Sequence, residues 1–205
     1  MIAAILLAAG RSTRMGAFKP LLPFGERTVI EACVSYLLEG GVEEIIVVVG
    51  HRAAEVRERL AQTPVKFAVN AQPQSEMGVS IARGVESVSD KAEAVLIALV
   101  DQPAVPPEVV RRLTDERQRV SASLLIPTHE GRGGHPVLID VKYRDELLKL
   151  NPERGLRAFF EKHRAEVSRL AVSSQYIARD MDTWDDYRAL HREIFDREPP
   201  VNAPS

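Results

Sequence analysis

Short apolar runs alternate with amphipathic segments along the first 120 residues, and this alternation is the strongest constraint on the fold. The runs are rich in Ile, Val and Leu and lack the polar positions of a half-exposed strand, so they predict a parallel sheet covered on both faces. The predicted strands are 2–8, 44–49, 65–69 and 94–100, and the predicted helices are 28–38, 53–61, 79–88 and 106–120. Strands and helices that alternate at this spacing indicate right-handed βαβ units and a Rossmann-like, three-layer α/β fold with a mostly parallel sheet.

The pattern changes after the fourth predicted helix. Two predicted strands, 123–127 and 136–139, flank the glycine-rich turn "HEGRGGHP". The later predicted elements are helices near 145–150 and 156–163, a strand near 167–172 and a final helix at 184–195. We interpret the chain as one domain, 1–196, in which an insertion over 121–196 shapes the pocket of a second ligand. The polar, proline-rich segment 197–205 predicts a disordered tail.

Charge and cysteine content exclude several classes of protein. Lys and Arg number 27 against 29 Asp and Glu, and a net charge of -2 argues against a nucleic-acid or membrane partner. The single cysteine, Cys33, cannot form an internal disulfide and is expected to be a buried thiol in a reducing compartment. No Lys or Arg precedes the first apolar run, and no run approaches the roughly 18 residues that span a bilayer. We therefore expect a cytoplasmic protein.

The loop after the first strand, "LAAGRSTRMGAFKPLLPFG", does not fit the two commonest phosphate-binding templates. A Walker A loop requires four residues between its glycines followed by Lys, but five residues separate Gly10 from Gly16 and Ala17 follows. The dinucleotide-binding fingerprint requires glycine where this chain has Ser12. The loop is therefore expected to be a long flap instead of a tight turn that caps a helix.

The same loop is nevertheless strongly basic. Arg11, Arg14 and Lys19 supply positive charge, and no Asp or Glu lies between residues 1 and 25. Gly10 and Gly16 allow the backbone to approach a ligand closely. This combination favours a polyphosphate ligand over the alternative, a solvated basic loop without a ligand.

Asp101 ends the apolar run "VLIALVDQP". The carboxyl ends of parallel strands share one edge of the sheet, so Asp101 is expected on the same edge as Gly10, where ligands bind in such folds. A divalent cation between this carboxylate and bound phosphates would account for the pairing. The alternative is an Asp that begins a turn before a proline.

Four segments carry a family resemblance: "LAAGRSTRMGAFKPLLPFG", "VDQP", "RGGHPVLI" and "DMDTWDDY". Their order and spacing resemble those of the MobA-like nucleotidyltransferases, most of all the molybdenum cofactor cytidylyltransferase branch, up to about residue 190. The resemblance implies the nucleotide-diphospho-sugar transferase fold. It also implies transfer of a nucleotidyl group from a nucleoside triphosphate to a phosphate-bearing acceptor, with Mg²⁺ (or Mn²⁺) and release of pyrophosphate.

The resemblance assigns the first half, 1–120, to the nucleotide and the second half, 121–196, to the acceptor. The implied nucleotide-binding residues are Leu7, Ala8, Ala9, Gly10, Arg11, Arg14, Gly16, Lys19 and Ser80. Arg14 and Lys19 would hold the triphosphate, and Asp101 would bind the metal. The methyl group of Ala9, where the guanylyltransferase branch has glycine, favours CTP over GTP, although one methyl group discriminates by only about 1 to 3 kcal/mol.

The acceptor side rests on the turn "GRGGHP" and on the acids before the last helix. Arg132, Gly134 and His135 would contact an acceptor phosphate or pterin edge; the alternative is a hairpin turn with a packed histidine. Asp180 and Asp182 lie two positions apart, so both would face one side of an extended segment and could bind the metal opposite Asp101. The alternative for the pair is capping of the final helix.

These predictions give one mechanism and three functions. An acceptor phosphate is already an anion, so catalysis by Arg14, Lys19 and Asp101 would consist of in-line placement and charge neutralisation. The first function is transfer of CMP from CTP to the phosphate of molybdopterin or molybdenum cofactor, with a molybdenum hydroxylase or its maturation factor as a further partner. The second is a nucleotidyltransferase of the same fold that uses GTP or a sugar, polyol or phospholactate acceptor. The third is a non-catalytic cofactor carrier for a molybdenum hydroxylase.

Overall fold

The computed structural model describes residues 1–72, 76–151 and 153–201. Its strands are β1 (Ile2–Ala8), β2 (Pro23–Phe24), β3 (Arg27–Thr28), β4 (Glu44–Val49), β5 (Val65–Val69), β6 (Ala94–Leu99), β7 (Leu124–His129), β8 (Arg132–Gly133), β9 (Val137–Asp140) and β10 (Val167–Ala171). Its α-helices are α1 (Val29–Glu39), α2 (Ala53–Arg59), α3 (Met77–Glu86), α4 (Pro107–Val120), α5 (Arg144–Leu147), α6 (Gly155–Lys162) and α7 (Trp184–Phe195).

The main sheet has the strand order β10-β7-β9-β6-β1-β4-β5, with β8 paired to β7. Strands β6, β1, β4 and β5 are parallel, as are β7 and β10, whereas β9 is antiparallel to both of its neighbours. Every residue of β4 is buried, as the uninterrupted apolar pattern predicted. The predicted α/β fold with a mostly parallel sheet is therefore confirmed.

Two apolar clusters cover the two faces of the sheet and give the molecule its three layers. One face packs against α1, α2, α4 and α7, with Cys33, Leu113 and Tyr187 among its buried residues. The other packs against α3, α5 and α6, with Ile81 and Phe159 among its buried residues. Burial raises the pKa of the Cys33 thiol well above its usual value, which keeps the thiol protonated and unreactive.

The second half of the chain contributes strands to the central sheet. Strand β9 pairs with β6 through Leu138 and Leu96, and β7 and β10 extend the sheet beyond it. Of the predicted tail, the structure describes residues 197–201, where Arg197 and Glu198 form ion pairs with Glu26 and Arg188. In the described part of the chain, no helix has the length and apolarity needed to cross a membrane.

Helix α7 connects the end of the chain to the loop that follows β1. A capping box between Thr183 and Asp186 starts the helix, because each residue accepts a hydrogen bond from the backbone amide of the other. Farther along, the Tyr187 hydroxyl donates to the Pro23 carbonyl at 2.7 Å, and Phe195 packs against Phe24 in the β2–β3 hairpin. The helix therefore fixes the acidic segment at its N-terminus relative to the basic loop.

Candidate functional site

A cleft of about 490 Å³ opens at the carboxyl ends of the parallel strands. The described residues along it that the sequence analysis named are Leu7, Ala9, Gly10, Arg11, Arg14, Lys19, Ser80, Asp101 and Asp182. The basic loop and Asp101 therefore meet at one edge of the sheet, because β1 and β6 are parallel neighbours. Two other residues predicted to bind the nucleotide are not among the described lining residues of the cleft. Ala8 is buried in the core, and Gly16 is exposed and has a φ of 71°.

The basic loop is anchored by apolar side chains and by one backbone contact. Met15 and Phe18 are buried in the core, and the backbone amide of Lys19 donates to the Ser12 hydroxyl at 3.2 Å. A Cβ added to Gly10 would meet nothing within 4 Å, so this glycine borders open space in the cleft. The loop is therefore anchored to the core at Met15 and Phe18, whereas Gly10 faces the open cleft.

Asp182 binds two of the three cations of the loop, Lys19 and Arg14. Lys19 Nζ lies 2.8 Å from Asp182 Oδ1, and Arg14 Nη1 lies 2.7 Å from Asp182 Oδ2. The Lys19 side chain is only 9% exposed, whereas that of Arg14 is 73% exposed. These hydrogen bonds, chiefly the one from Lys19, hold the pKa of Asp182 below its usual range. A carboxylate thus occupies the cations that the sequence analysis assigned to phosphate.

Asp101 is the least satisfied acid of the cleft. Its Oδ2 atom lies 3.9 Å from Lys19 Nζ, and its Oδ1 atom is buried without a hydrogen-bond partner among the described residues. Burial is the main reason why the pKa of Asp101 rises to about 6. Lys19 opposes this rise, and the negative charges of Asp180 and Asp182 add to it. The three carboxylates therefore repel one another, and a bound cation would reduce this repulsion.

The segment 180–182 runs beside the end of β6. The backbone amide of Met181 donates to the Asp101 carbonyl at 2.9 Å, and the Met181 side chain is fully buried. Asp182 pairs with the loop cations, while Asp180 accepts a 2.7 Å hydrogen bond from the side-chain amide of Gln102. The capping role falls to Thr183 and Asp186, so both predicted acids are free of it.

The acids fit a metal only in part. Among the described residues, no three His, Cys, Asp or Glu side chains form a ready metal cluster. The buried, unpartnered Oδ1 of Asp101 suits a hard cation, whereas both oxygens of Asp182 are engaged by cations. Mg²⁺ in enzymes is often held by one or two carboxylates together with substrate phosphates and water. The donor set here fits a metal that arrives with a polyphosphate.

The opposite wall of the cleft contains a pair of buried polar side chains. Asn70 follows β5 at the same edge of the sheet, and its side-chain amide donates to the Ser80 hydroxyl at 2.9 Å. The Asn70 side-chain oxygen accepts from the backbone amide of Gln72. Asn70 was missed by the sequence analysis, although its position after an apolar run is the same signal that identified Asp101.

Ala9 packs against the end of β4. A Cβ placed on Gly50 would lie 3.0 Å from the Ala9 carbonyl and 3.2 Å from both the Ala9 Cβ and the Asn70 carbonyl. Glycine at position 50 therefore allows Ala9, which follows β1, and Asn70, which follows β5, to lie close to the backbone at the end of β4. Ala9 and Asn70 both line the cleft next to this junction.

The three predicted acceptor residues lie away from the described lining of the cleft. His135 is held by its backbone amide on the Ile177 carbonyl at 2.7 Å and by its Nδ1 atom at 3.1 Å from the Ile97 carbonyl. Burial lowers the pKa of His135. A Cβ on Gly134 would lie 2.0 Å from the Ile177 carbonyl oxygen, so packing alone requires glycine there. Arg132 is exposed on β8, and an acceptor role for these residues stays a prediction.

Comparisons with known proteins agree with this geometry. A family model described as the MobA-like NTP transferase domain matches residues 4–167. The nicotine blue oxidoreductase of Paenarthrobacter nicotinovorans is 32% identical over 197 residues, which cover 92% of this chain and 96% of that protein. The molybdenum cofactor cytidylyltransferase of Escherichia coli K12 is 29% identical over 136 residues, which cover 66% of this chain and 68% of that protein.

Solved structures extend the similarity to the whole fold. The manganese complex of Rv0371c from Mycobacterium tuberculosis H37Rv has a TM-score of 0.81 and 29% identity, with coverage of 93% of this chain and 98% of that chain. A nucleotidyl transferase from Methanothermobacter thermautotroptrophicus has a TM-score of 0.82 and 28% identity, with coverage of 96% and 98%.

Proposed function

The chain belongs to the MobA-like NTP transferase family and is a nucleotidyltransferase, and from that premise we propose that it transfers CMP from CTP to the phosphate of a molybdopterin-type acceptor. Pyrophosphate is the second product. The observation that supports this proposal best is the meeting of Lys19, Arg14, Asp101 and Asp182 in one cleft. A carrier protein has no need of two cations and two acids arranged around a polyphosphate-sized space.

The proposed mechanism relies on placement and charge. The acceptor phosphate is already an anion, so the protein does not need a side-chain base to activate it. Lys19 is buried and points into the cleft, where its ammonium group would stabilise the charge that develops on the departing pyrophosphate. Arg14 is exposed at the cleft, where its guanidinium group would bind the outer phosphates. In-line alignment of donor and acceptor supplies the remaining rate enhancement.

Asp101 is the proposed metal ligand, and its buried, unpartnered Oδ1 atom supports that role. When bound, Mg²⁺ or Mn²⁺ would neutralise charge on the phosphates. Asp182 and Asp180 would complete the acidic side of the site from the segment next to Asp101. A protein of similar structure has been crystallised with manganese, which supports a divalent cation of this kind.

The choice of CTP rests on the wall of the cleft that carries Ala9, Asn70 and Ser80. The side chains of Asn70 and Ser80 are joined there by a hydrogen bond. The Ala9 methyl group would favour a pyrimidine over a larger purine, and amide and hydroxyl groups can bind the edge of a cytosine. The relative named molybdenum cofactor cytidylyltransferase supports a molybdopterin-type acceptor, and a molybdenum hydroxylase or its maturation factor is the proposed further partner.

Pyrophosphate release tests the proposal. We expect release from CTP with molybdopterin or molybdenum cofactor in the presence of Mg²⁺, and much slower release from GTP, ATP or UTP. Release with a sugar-phosphate, polyol-phosphate or phospholactate acceptor instead would favour the second function. Tight binding of cofactor without release from any triphosphate would favour a carrier.

A second assay addresses the relative that is named nicotine blue oxidoreductase. Consumption of NADH and NADPH with nicotine blue is measured in parallel, and turnover in this assay alone would contradict nucleotidyl transfer.

A further inference from the structure

Gln102 has a buried side-chain amide and no role in the proposed transfer of CMP. It directly follows Asp101 and is only 3% exposed. Its Nε2 atom donates to Asp180 Oδ1 at 2.7 Å, whereas its Oε1 atom is buried without a hydrogen-bond partner among the described residues. The side chain thus contributes one hydrogen bond to a charged group and leaves one polar atom unsatisfied.

This arrangement is unfavourable for stability. A buried carbonyl without a partner lowers the free energy of unfolding, and an apolar side chain of similar size would avoid that cost. Asp180 itself is exposed and water could solvate it without Gln102. The stability of the fold alone therefore does not require glutamine at this position, where the side-chain amide donates its hydrogen bond to Asp180.

Asp180 belongs to the short segment that carries the acids of the cleft. This segment lies between a 3-10 helix (Gln175–Ala178) and α7, and the Met181 amide ties its backbone to the Asp101 carbonyl. The Gln102 amide supplies a second, charge-assisted attachment between the same two stretches of chain. Both attachments reach the end of β6, one through the backbone and one through a side chain.

We propose that Gln102 is a positioning residue that acts through Asp180 to hold the acidic segment 180–182 beside Asp101, and thereby sets the affinity of the cleft for a divalent cation. The inference rests on the proposed function for its metal, but not for its substrate. Without the Gln102 bond, Asp180 turns to solvent and the negative charge that faces Asp101 falls. A cation then gains less on binding.

A double-mutant cycle on Mn²⁺ binding tests this inference. The variants are Gln102→Met, Asp180→Ala and the double variant, and free Mn²⁺ is measured by electron paramagnetic resonance without any nucleotide. Loss of a residue that orients a metal ligand commonly weakens binding by about 10-fold or more, and we expect a Kd increase of that size for Gln102→Met. In the Asp180→Ala background the same substitution should change Kd by less than about 2-fold, because its partner is absent.

Thermal unfolding without metal separates positioning from a general structural role. We expect the Tm of Gln102→Met to equal or exceed that of the wild type, since the substitution removes the unsatisfied Oε1 atom. An unchanged Mn²⁺ Kd in Gln102→Met, additive losses in the double variant, or no Mn²⁺ binding by the wild type would each overturn the inference. Failure of CTP turnover would contradict the proposed function while leaving this cycle valid.

Discussion

The Nζ atom of Lys19 lies 2.8 Å from Oδ1 of Asp182, across 163 residues of sequence. Arg14 binds the other oxygen of the same carboxylate at 2.7 Å. Asp182 therefore stands where, in the proposed function, the anionic oxygens of a triphosphate would bind. In that proposal a nucleotide would replace these ion pairs, and a cation bound at Asp101 would provide Asp182 with a new partner.

If a nucleotide displaces Asp182 from Lys19 and Arg14, the substitution Asp182→Asn should change the Kd for CTP in opposite directions with and without metal. In EDTA, Asp182→Asn should bind CTP more tightly than the wild type, because Lys19 and Arg14 no longer have a competing carboxylate. A partly exposed ion pair contributes about 1 kcal/mol, which corresponds to roughly 5-fold in Kd. With Mn²⁺ the same variant should bind CTP more weakly than the wild type. Isothermal titration calorimetry measures both, and Asp185→Asn, on the exposed start of α7, is the matched control. Weaker binding in both conditions would contradict the exchange.

Lys19→Met should abolish most turnover with little loss of fold. The methionine fills the buried volume of the lysine stem but brings no charge to the departing pyrophosphate. Removing one electrostatic contact to a transition state typically costs about 100-fold or more in kcat. Steady-state pyrophosphate release measures the loss, and Lys91→Met, at an exposed position, should behave as the wild type. A Lys19→Met rate within a few-fold of the wild type would remove Lys19 from the mechanism.

The raised pKa of Asp101 predicts a pH dependence of stability in the metal-free protein. The carboxyl has a pKa of about 6 when folded and about 3.9 in an unfolded chain. The folded state therefore binds the proton more tightly, and the contribution of Asp101 to the free energy of unfolding falls as pH rises from about 4 to about 6. The advantage of Asp101→Asn over the wild type should grow by about 2 kcal/mol between pH 4 and pH 7. Urea unfolding at both pH values checks this, and a constant difference would contradict the buried, charged state.

Gly10→Ala should affect binding but not folding. The added methyl group would meet no protein atom within 4 Å, so the Tm should stay close to that of the wild type. The same methyl group would project into the cleft and crowd a nucleotide that approaches the backbone. Crowding of this kind costs about 1 to 3 kcal/mol, or about 5-fold or more in Kd. Fluorescence titration with a labelled CTP measures the loss, and unchanged affinity would show that the nucleotide binds elsewhere.

Gly134→Ala should show the reverse behaviour. Its Cβ would lie 2.0 Å from the Ile177 carbonyl oxygen, so the β8 hairpin and the 175–178 segment must move apart. We expect a loss of about 1 to 3 kcal/mol in the free energy of unfolding. Gly133→Ala is the control, because its Cβ would meet only side-chain atoms, those of Ile126 at 3.2 Å and of Arg169 at 3.7 Å. A fully stable Gly134→Ala would mean that the close contact with Ile177 is absent in solution.

The sequence predicted those elements whose signal is local. The buried strands appeared as continuous apolar runs, and the predicted final helix, 184–195, has the observed bounds of α7 because Thr183 and Asp186 form a capping box. The location of Asp101 followed from a general property of parallel sheets. The position of β9 between β6 and β7 could not be predicted, since a four-residue apolar strand carries no information about its neighbours.

The polar amides of the site were missed for a related reason. Gln102 and Asn70 carry no charge, so neither stands out in a sequence whose clearest site signal is a cluster of cations. Their importance depends on burial and on partners at positions 180 and 80, which only the fold brings together. Gly134 and His135 were named from a glycine-rich turn, and the fold adds a packing reason for both through Ile177, while their acceptor role stays a prediction.

Transfer of label from [α-³²P]CTP tests the central claim most directly. With Mg²⁺ and a molybdopterin-type acceptor, we predict that the wild-type protein moves the label to the acceptor with one pyrophosphate released for each transfer. Asp101→Asn and Lys19→Met should remain folded and lose this transfer. The account would be contradicted if the wild type moved no label, or if folded Asp101→Asn moved it at the wild-type rate.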